Sequence, residues 1–251
     1  MAKQVYFIAG ASRGIGLSWA TILSKNPENV VIATARNPAA ATSLQELSKA
    51  DNVHVLPLDM DDEKTFETAK AEVLKITDSI DVFINNAGIG NAHEKVLDTS
   101  KEDFLSHFYT NTLGPFFLLR TFHDLVKKGS QKKVIFVSST AGTISLEPTY
   151  VSSAYGLSKA ALNFGVRQIA RDLSEEGFTV VAVHPGFVGT DMVFNAKERF
   201  LKSNPHAKDF YAPDSYISPD ESAQALVSLV EKLTKEDTNK FLSYDGAQLP
   251  W

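Results

Sequence analysis

Tyr155 and Lys159 stand four residues apart in Tyr155-Gly-Leu-Ser-Lys159, so on a helix they share one face. A free tyrosine has a pKa of about 10, too high for ready proton exchange near neutrality. An ammonium beside it favours the tyrosinate and lowers that value. Upstream, Ser138 and Ser139 close an apolar run, Val134–Val137, at the point where side chains would emerge from the carboxyl edge of a sheet. A serine hydroxyl there can donate a hydrogen bond to a carbonyl oxygen and hold it beside the tyrosine. Ser138 or Ser139 could serve. Together these groups can stabilise an alkoxide as hydride arrives and then protonate it. Asn85-Asn86-Ala87-Gly88 ends another apolar run, and Asn111 falls within the long helical pattern that follows. The chemistry in view is reduction of a carbonyl by hydride, with the proton carried by tyrosine.

A hydride donor needs its own site, and the first apolar run leads into one. Gly10-Ala11-Ser12-Arg13-Gly14-Ile15-Gly16 follows Val5–Ala9. Glycines at such a turn let backbone approach a pyrophosphate without Cβ collision, and the next helix offers unpaired N–H groups and its positive dipole end. The spacing is G-x-x-x-G-x-G, not G-x-G-x-x-G, and by itself it reads equally as a plain strand–helix turn. The second run ends Ile32-Ala33-Thr34-Ala35-Arg36. A unit that binds NAD carries an acid about 20 residues beyond the glycines to hold the ribose 2′-hydroxyl. Here Arg36 occupies that region, with Arg13 close by in the loop. Either arginine alone reads as a solvated charge. Two converging on one site fit a 2′-phosphate, which a guanidinium grips through charge-assisted hydrogen bonds. The expected cofactor is NADPH/NADP.

The elements that must position these residues are legible as alternation. Apolar runs at Val5–Ala9, Val30–Thr34, Val53–Leu58, Val82–Ile84, Val134–Val137, Val180–Val183 and Phe241–Tyr244 lack polar alternation, as do strands buried on both faces of a parallel sheet. Helical patterns lie near 15–25, 41–49, 62–77, 102–127, 156–175 and 220–234, the last opened by Ser218-Pro219-Asp220-Glu221, a cap, a first-turn proline and two acids. This predicts an α/β fold, a Rossmann-like doubly wound parallel sheet of seven strands with helices on both faces. Residues 1–251 read as one dinucleotide-binding and catalytic domain, with a substrate-binding loop region about 187–218. The chain has no cysteine and six scattered histidines, no two of them three or four apart. That excludes disulfides and thiolate chemistry and leaves no helical zinc pair, so no metal is expected. A net charge of −5 with mixed signs argues against a nucleic-acid surface. No stretch has the apolar length of a membrane span and the N-terminus has no secretory pattern. A cytoplasmic protein without a membrane partner is the expectation, and homo-oligomer formation is left open.

With G-A-S-R-G-I-G, N-N-A-G, the serine pair, Y-G-L-S-K and H-P-G-F-V-G-T in this order, the chain resembles the short-chain dehydrogenase/reductase superfamily over nearly its full length. The resemblance implies a catalytic set of Asn111, Ser139, Tyr155 and Lys159. Tyr155 would be the acid/base, Ser139 would orient the carbonyl, Lys159 would bind the nicotinamide ribose and lower the tyrosine pKa, and Asn111 would hold a proton-relay water. It implies a cofactor cleft of Gly10, Ser12, Arg13, Gly14, Ile15, Gly16, Arg36, Asp59, Met60, Asn86, Ala87, Gly88, Tyr155, Lys159, Pro185, Gly186, Val188 and Thr190. In it Asp59 would hold the adenine amino group, Asn86 the adjoining ribose, and Val188 and Thr190 the carboxamide. The Asp59 carboxylate also reads as a simple helix cap, and Pro185-Gly186 as a turn. Ser139 and Tyr155 are 16 residues apart, a few more than the family's usual spacing, which makes Ile144–Tyr150 a lengthened loop near the substrate. The tail from Lys240 to Trp251 is similar to the endings of small fungal ketoreductases. The expected activity is an NADPH-dependent carbonyl reductase, or ketoreductase, acting on an apolar or aromatic small-molecule carbonyl. The aromatic residues of 187–218, with Ile144, Leu146 and Tyr150, would line its pocket. An NADP-dependent alcohol dehydrogenase is the alternative within the family, and a non-catalytic NADPH-sensing protein the alternative outside it.

Overall fold

Strands apolar on both sides have to be covered on both sides, and alternate residues of one strand show how this is met. In the computed structural model, which describes residues 4–251, β1 (Val5–Ala9) sends Phe7 into one core and Ile8 into the other. Around it run α1 (Gly14–Ser24), β2 (Val30–Ala35), α2 (Thr42–Leu47), β3 (Val53–Pro57), α3 (Glu63–Val73) and β4 (Val82–Asn85). The second half comprises α4 (Lys101–Phe108), α5 (Gly114–Lys128), β5 (Lys133–Val137), α6 (Ser153–Asp172), β6 (Thr179–His184), α7 (Asp191–Asn195), α8 (Lys197–Ser203), α9 (Pro219–Lys232), β7 (Lys240–Ser243) and β8 (Gln248–Leu249). The sheet order is β3-β2-β1-β4-β5-β6-β7-β8. Phe7, Phe83 and Phe122 stack at the centre of the core beneath α3, α5 and α6, with ring centroids 4.7–5.7 Å apart. Trp19, Leu44 and Leu226 fill the core beneath α1, α2 and α9.

The doubly wound parallel sheet is as the sequence predicts, but its strand count is eight, not seven. After β7 the chain turns through Asp245-Gly246, Gly246 at φ +89°, and Gln248-Leu249 pairs antiparallel with Phe241-Leu242. A two-residue strand is too short to carry a periodic signal. The cap of α9 is present as expected: Ser218 and Glu221 bond reciprocally and Pro219 opens the helix.

A second difference lies where one helix over 102–127 is expected. The helix breaks into α4 and α5 around a π-helical turn, Tyr109–Leu113. Pro115 accounts for it. Proline has no N–H to give, and its ring would collide with the carbonyl four residues back, that of Asn111. The ladder therefore widens by a residue, and π turns of this kind gather at functional sites. The 187–218 segment, expected to be irregular, contains α7, α8 and two short 3₁₀ turns. It is tied to the main body by a bridge between Val188 and Ile217.

Candidate active site

All strands but the last run parallel, so their carboxyl ends share one edge, where the crevice of a doubly wound sheet forms. At β1 the chain leaves through Gly10 at φ +81°, where a Cβ would lie 2.7 Å from the backbone of Ala87. A Cβ on Gly16 would lie 2.1 Å from the Gly10 carbonyl oxygen. Both positions therefore demand glycine, and the result is a bare backbone cradle over the start of α1. The Asn86 amide donates to the Gly10 carbonyl at 2.7 Å, locking this loop to the end of β4. Ala11 N–H donates to the Thr34 carbonyl at 2.7 Å, locking it to β2. Ser12 and Ile15 are half-buried beside it. The cradle fits a dinucleotide pyrophosphate: bare N–H groups, no Cβ in the way, and a helix start behind.

Arg36 emerges exposed just past β2, and Arg13 is exposed at the start of α1. No acid stands at the end of β2. Arg13 lies 3.7 Å from Asp191, the first residue of α7. Thr190 is close to the glycine loop from the same side, its Cγ2 3.3 Å from where a Gly14 Cβ would be. Pro185-Gly186 is more than a turn. Gly186 takes φ +85° against Tyr244, and the Pro185 carbonyl accepts from Ser222 of α9 at 2.6 Å. Val188 is buried, so its backbone rather than its side chain is available to a ligand. Asp59, at the end of β3, is not the helix cap; Asp62 fills that place by accepting from Lys64 N–H. Asp59 accepts from Asp61 N–H at 3.1 Å and is half-buried. Met60 is buried against Gly114, next to the π turn.

Tyr155 and Lys159 lie on α6 as their spacing requires, the Lys159 Nζ 5.8 Å from the tyrosine ring centroid. The two serines diverge, as adjacent residues at a strand end must. Ser138 is buried and donates to Asn163 Oδ1 at 2.5 Å. Ser139 Oγ accepts from Ala141 N–H at 3.2 Å, and the same hydroxyl acts on Tyr155 to lower its pKa. What sets this pair is Gly142, where a Cβ would lie 2.4 Å from the Lys159 carbonyl carbon. The turn after β5 thus rests directly on α6. Lys159 is buried and donates to the Val137 carbonyl at 2.9 Å, and desolvation pushes its pKa down to about 8. The lowering expected from Lys159 does not prevail at Tyr155. Burial raises the Tyr155 pKa, and only Ser139 works against it. Tyr155 is therefore protonated at neutral pH.

Asn111, fully buried in the π turn, has its side chain committed. Its Nδ2 donates to the Ile89 carbonyl and to Ser158 Oγ at 2.9 and 3.0 Å, and its Oδ1 accepts from Ile89 N–H at 2.8 Å. Ser158 in turn donates to the Tyr155 carbonyl at 2.7 Å. Gly88 lies against this group, with Asn111 Oδ1 3.0 Å and Lys159 Nζ 3.7 Å from where its Cβ would be. Ser158, Gly142 and Asp191 carry no signal in a single sequence. Their importance comes from which backbone they meet. Among the described residues no group of three or more acids and histidines is placed to hold a metal, and no helix is long and apolar enough to cross a membrane.

The aromatic residues of 187–218 divide. Phe200 is buried, and Phe187, Phe200, Phe210 and Tyr150 pack on one another with centroids 3.7–5.6 Å apart. Phe194 and Met192 of α7, and Ile144 and Leu146 of the opposite loop, stay exposed. Trp251 stacks on Phe241 at 5.6 Å, and Arg167 covers it.

A glycine-lined nucleotide cradle facing a tyrosine, serine and lysine across one sheet edge defines a dinucleotide-dependent oxidoreductase. A sequence model of the short chain dehydrogenase family matches residues 4–199. An uncharacterised oxidoreductase of Schizosaccharomyces pombe is 40% identical over 250 residues, covering 99% of this chain and 98% of its own. A short chain dehydrogenase of Penicillium aethiopicum is 32% identical, with coverage of 97% and 98%. An NADPH-bound carbonyl reductase from chicken fatty liver superposes with a TM-score of 0.86 at 30% identity, covering 100% and 99% of the two chains. The carbonyl reductase Sniffer of D. melanogaster does so at 0.86 and 26%, covering all of both chains. The chain belongs to the short-chain dehydrogenase family and is an enzyme of its oxidoreductase class.

Proposed function

We propose that this enzyme is an NADPH-dependent carbonyl reductase that delivers hydride to a ketone, diketone or aldehyde, with Tyr155 as proton donor. The observation that carries this is the grouping of Tyr155 with Ser139 and buried Lys159, opposite a cradle with two exposed arginines and no ribose-binding acid. The carbonyl reductases it superposes on support the substrate class. NADPH, when bound, supplies the hydride. In this reading Ser139 donates to the carbonyl oxygen and holds it at the tyrosine hydroxyl. Tyr155 gives up its proton to the oxygen as negative charge develops there. Lys159, charged near neutrality, holds a ribose hydroxyl and stabilises the tyrosinate left behind. Asn111 keeps the backbone around Ile89 and the Tyr155 carbonyl in place through Ser158. Gly10, Ser12, Gly14, Ile15 and Gly16 would receive the pyrophosphate. Asp59, Met60, Asn86, Ala87 and Gly88 would line the adenosine side, and Pro185, Gly186, Val188 and Thr190 the nicotinamide side.

Arg36, helped by Arg13, reads the 2′-phosphate. Each charge-assisted hydrogen bond contributes about 1.5–3 kcal/mol, less where water competes. Two exposed contacts therefore give a preference of roughly 30- to 1000-fold in kcat/KM for NADPH over NADH. Substituting Ala35→Asp repels the phosphate and offers an acceptor to NADH ribose hydroxyls. Combined with Arg36→Ala it should erase or reverse the preference. Steady-state kinetics with both cofactors, against ketones, diketones, aldehydes and small keto acids, tests the assignment. Equal use of NADH and NADPH by the wild type would show that the arginines do not read the phosphate. A preference for small charged keto acids would defeat the apolar-carbonyl assignment.

A further inference from the structure

His93 stands five residues beyond Gly88, and its ring centroid is 6.2 Å from that of Tyr155. Both its nitrogens are engaged. Nε2 is 2.9 Å from the Gly90 carbonyl oxygen and Nδ1 is 2.9 Å from Ser152 Oγ. A carbonyl only accepts, so the proton sits on Nε2, and Nδ1 then accepts from the Ser152 hydroxyl. Burial holds the ring below its ordinary pKa and keeps it in this neutral form.

Ser152 is the residue that shows what the arrangement is for. It occupies the N-cap of α6, where a serine side chain normally bonds the helix's own free N–H groups. It makes no capping bond; its hydroxyl goes to His93 instead. Next to it Ser153 Oγ donates to the Glu94 carbonyl at 2.7 Å. Two consecutive serines at the start of the helix that bears Tyr155 are thus spent on the 90–94 loop. The other side of His93 meets Phe200 edge-on at 5.3 Å. Arg199 of α8 ties the same loop down by binding Glu94, Asp103 and the Asn91 carbonyl. Asn204, fully buried, holds Val151 by both its N–H and its carbonyl at 2.7 and 3.0 Å. Gly90 leaves no slack: a Cβ there would lie 3.4 Å from the Tyr155 ring and 3.2 Å from Met192 Sδ.

We propose that His93 is a positioning residue for the reduction. Through Gly90 and Ser152 it braces the loop after β4 against the first turn of α6, and so fixes the Tyr155 ring at the fixed, Phe200-backed side of the carbonyl pocket. This rests on Tyr155 being the proton donor. A tyrosine whose helix start is unbraced binds cofactor as before but samples poses in which its hydroxyl misses the carbonyl oxygen. Such misplacement costs turnover rather than affinity.

The test compares His93→Phe, His93→Gln and Ser152→Ala by steady-state kinetics on one ketone, with NADPH affinity from fluorescence titration. Phenylalanine keeps the ring and loses both bonds, so kcat should fall roughly 10- to 100-fold while the NADPH Kd stays within about twofold. Glutamine can still donate to Gly90 and should remain within about fivefold of wild type in kcat. Ser152→Ala removes the brace from the other end and should lower kcat at least about threefold with NADPH affinity unchanged. If His93→Phe does not fold, the other two variants decide. A kcat at the wild-type level in Ser152→Ala, or a glutamine variant as impaired as the phenylalanine one, overturns the brace. Tyr155→Phe, run alongside, separates the two readings. Activity retained there removes the proton donor, whereas its loss together with normal His93 and Ser152 variants removes only the brace.

Discussion

At the scale of single residues, the proposed chemistry turns on half-buried Tyr155 and buried Lys159, both displaced by the same cause. Desolvation disfavours charge, so it keeps Tyr155 protonated and makes Lys159 easier to discharge. A proton donor for reduction needs the first effect and pays for it only if the lysine stays charged. Tyr155→Phe removes the hydroxyl and leaves the packing ring, so turnover should fall to a few per cent or less with NADPH binding kept, about two to four orders of magnitude. Activity and fluorescence titration of the same sample check both halves. The lysine sets the alkaline side. Its charge is present below about 8 and lost above it, while Tyr155, raised, stays protonated across that range. kcat/KM for NADPH, which reports groups of the free enzyme, should therefore fall by about tenfold per pH unit above the Lys159 value. A profile flat to strongly alkaline pH would mean that the ammonium is not used.

At the scale of elements, what could be read from the sequence and what could not have one explanation. Strands such as Val30–Ala35 and helices such as α9 announce themselves because their local pattern and their tertiary role agree. The placement of Tyr155 and Lys159 on one face of α6, and of the glycine loop before α1, is legible because spacing alone sets it. The choice between Ser138 and Ser139 is not, since it depends on which side of β5 faces Tyr155. The direction of the tyrosine shift is not either, because burial is a property of the fold. The π turn sits between these cases: Leu113-Gly114-Pro115 lies in plain view within a helical pattern, and proline interior to a helix has to displace the ladder. If that displacement is what sets the Asn111 side chain against Ile89 and Ser158, Pro115→Ala should let an ordinary helix close and shift it. Alanine is the stronger helix former and proline is already tolerated at a helix start, so thermal stability should be unchanged or raised. kcat should drop by roughly 10- to 100-fold, as for other small misplacements of a catalytic set. A variant with wild-type kcat would show that the turn is only an adjustment of packing.

At the scale of the whole molecule, the two cores and the eight-stranded sheet leave several titratable groups inside, and these set how stability depends on acid. His184 closes β6 with its Nδ1 buried and without a hydrogen-bond partner. Desolvation pushes its pKa from 6.5 down to about 4, with Asp245 only partly opposing. His93 and His107 are lowered for the same reason. The folded chain therefore stays neutral at these rings where the unfolded chain takes up protons. More protons bind to the unfolded state between the two values, so stability falls as pH drops through 6.5 towards 4 and is insensitive to His184 above it. The slope from one such histidine is about 1.4 kcal/mol per pH unit. Over its window His184 alone accounts for about 3 kcal/mol, nearer 2 where water reaches the ring. The lowered carboxylates, Asp103, Asp124 and Asp237, act in the same direction only at still lower pH, because the stability they contribute is present above the unfolded carboxylate value and lost beneath it. Thermal unfolding between pH 7.5 and pH 4.5 should thus show Tm falling by roughly 4–8 °C from His184 for a chain of this size, more with the other two rings. His184→Gln keeps the backbone carbonyl that accepts from Tyr244 N–H at 2.9 Å and removes the titration, so its Tm should fall less over the same interval. A variant with the full wild-type slope would place the acid sensitivity elsewhere.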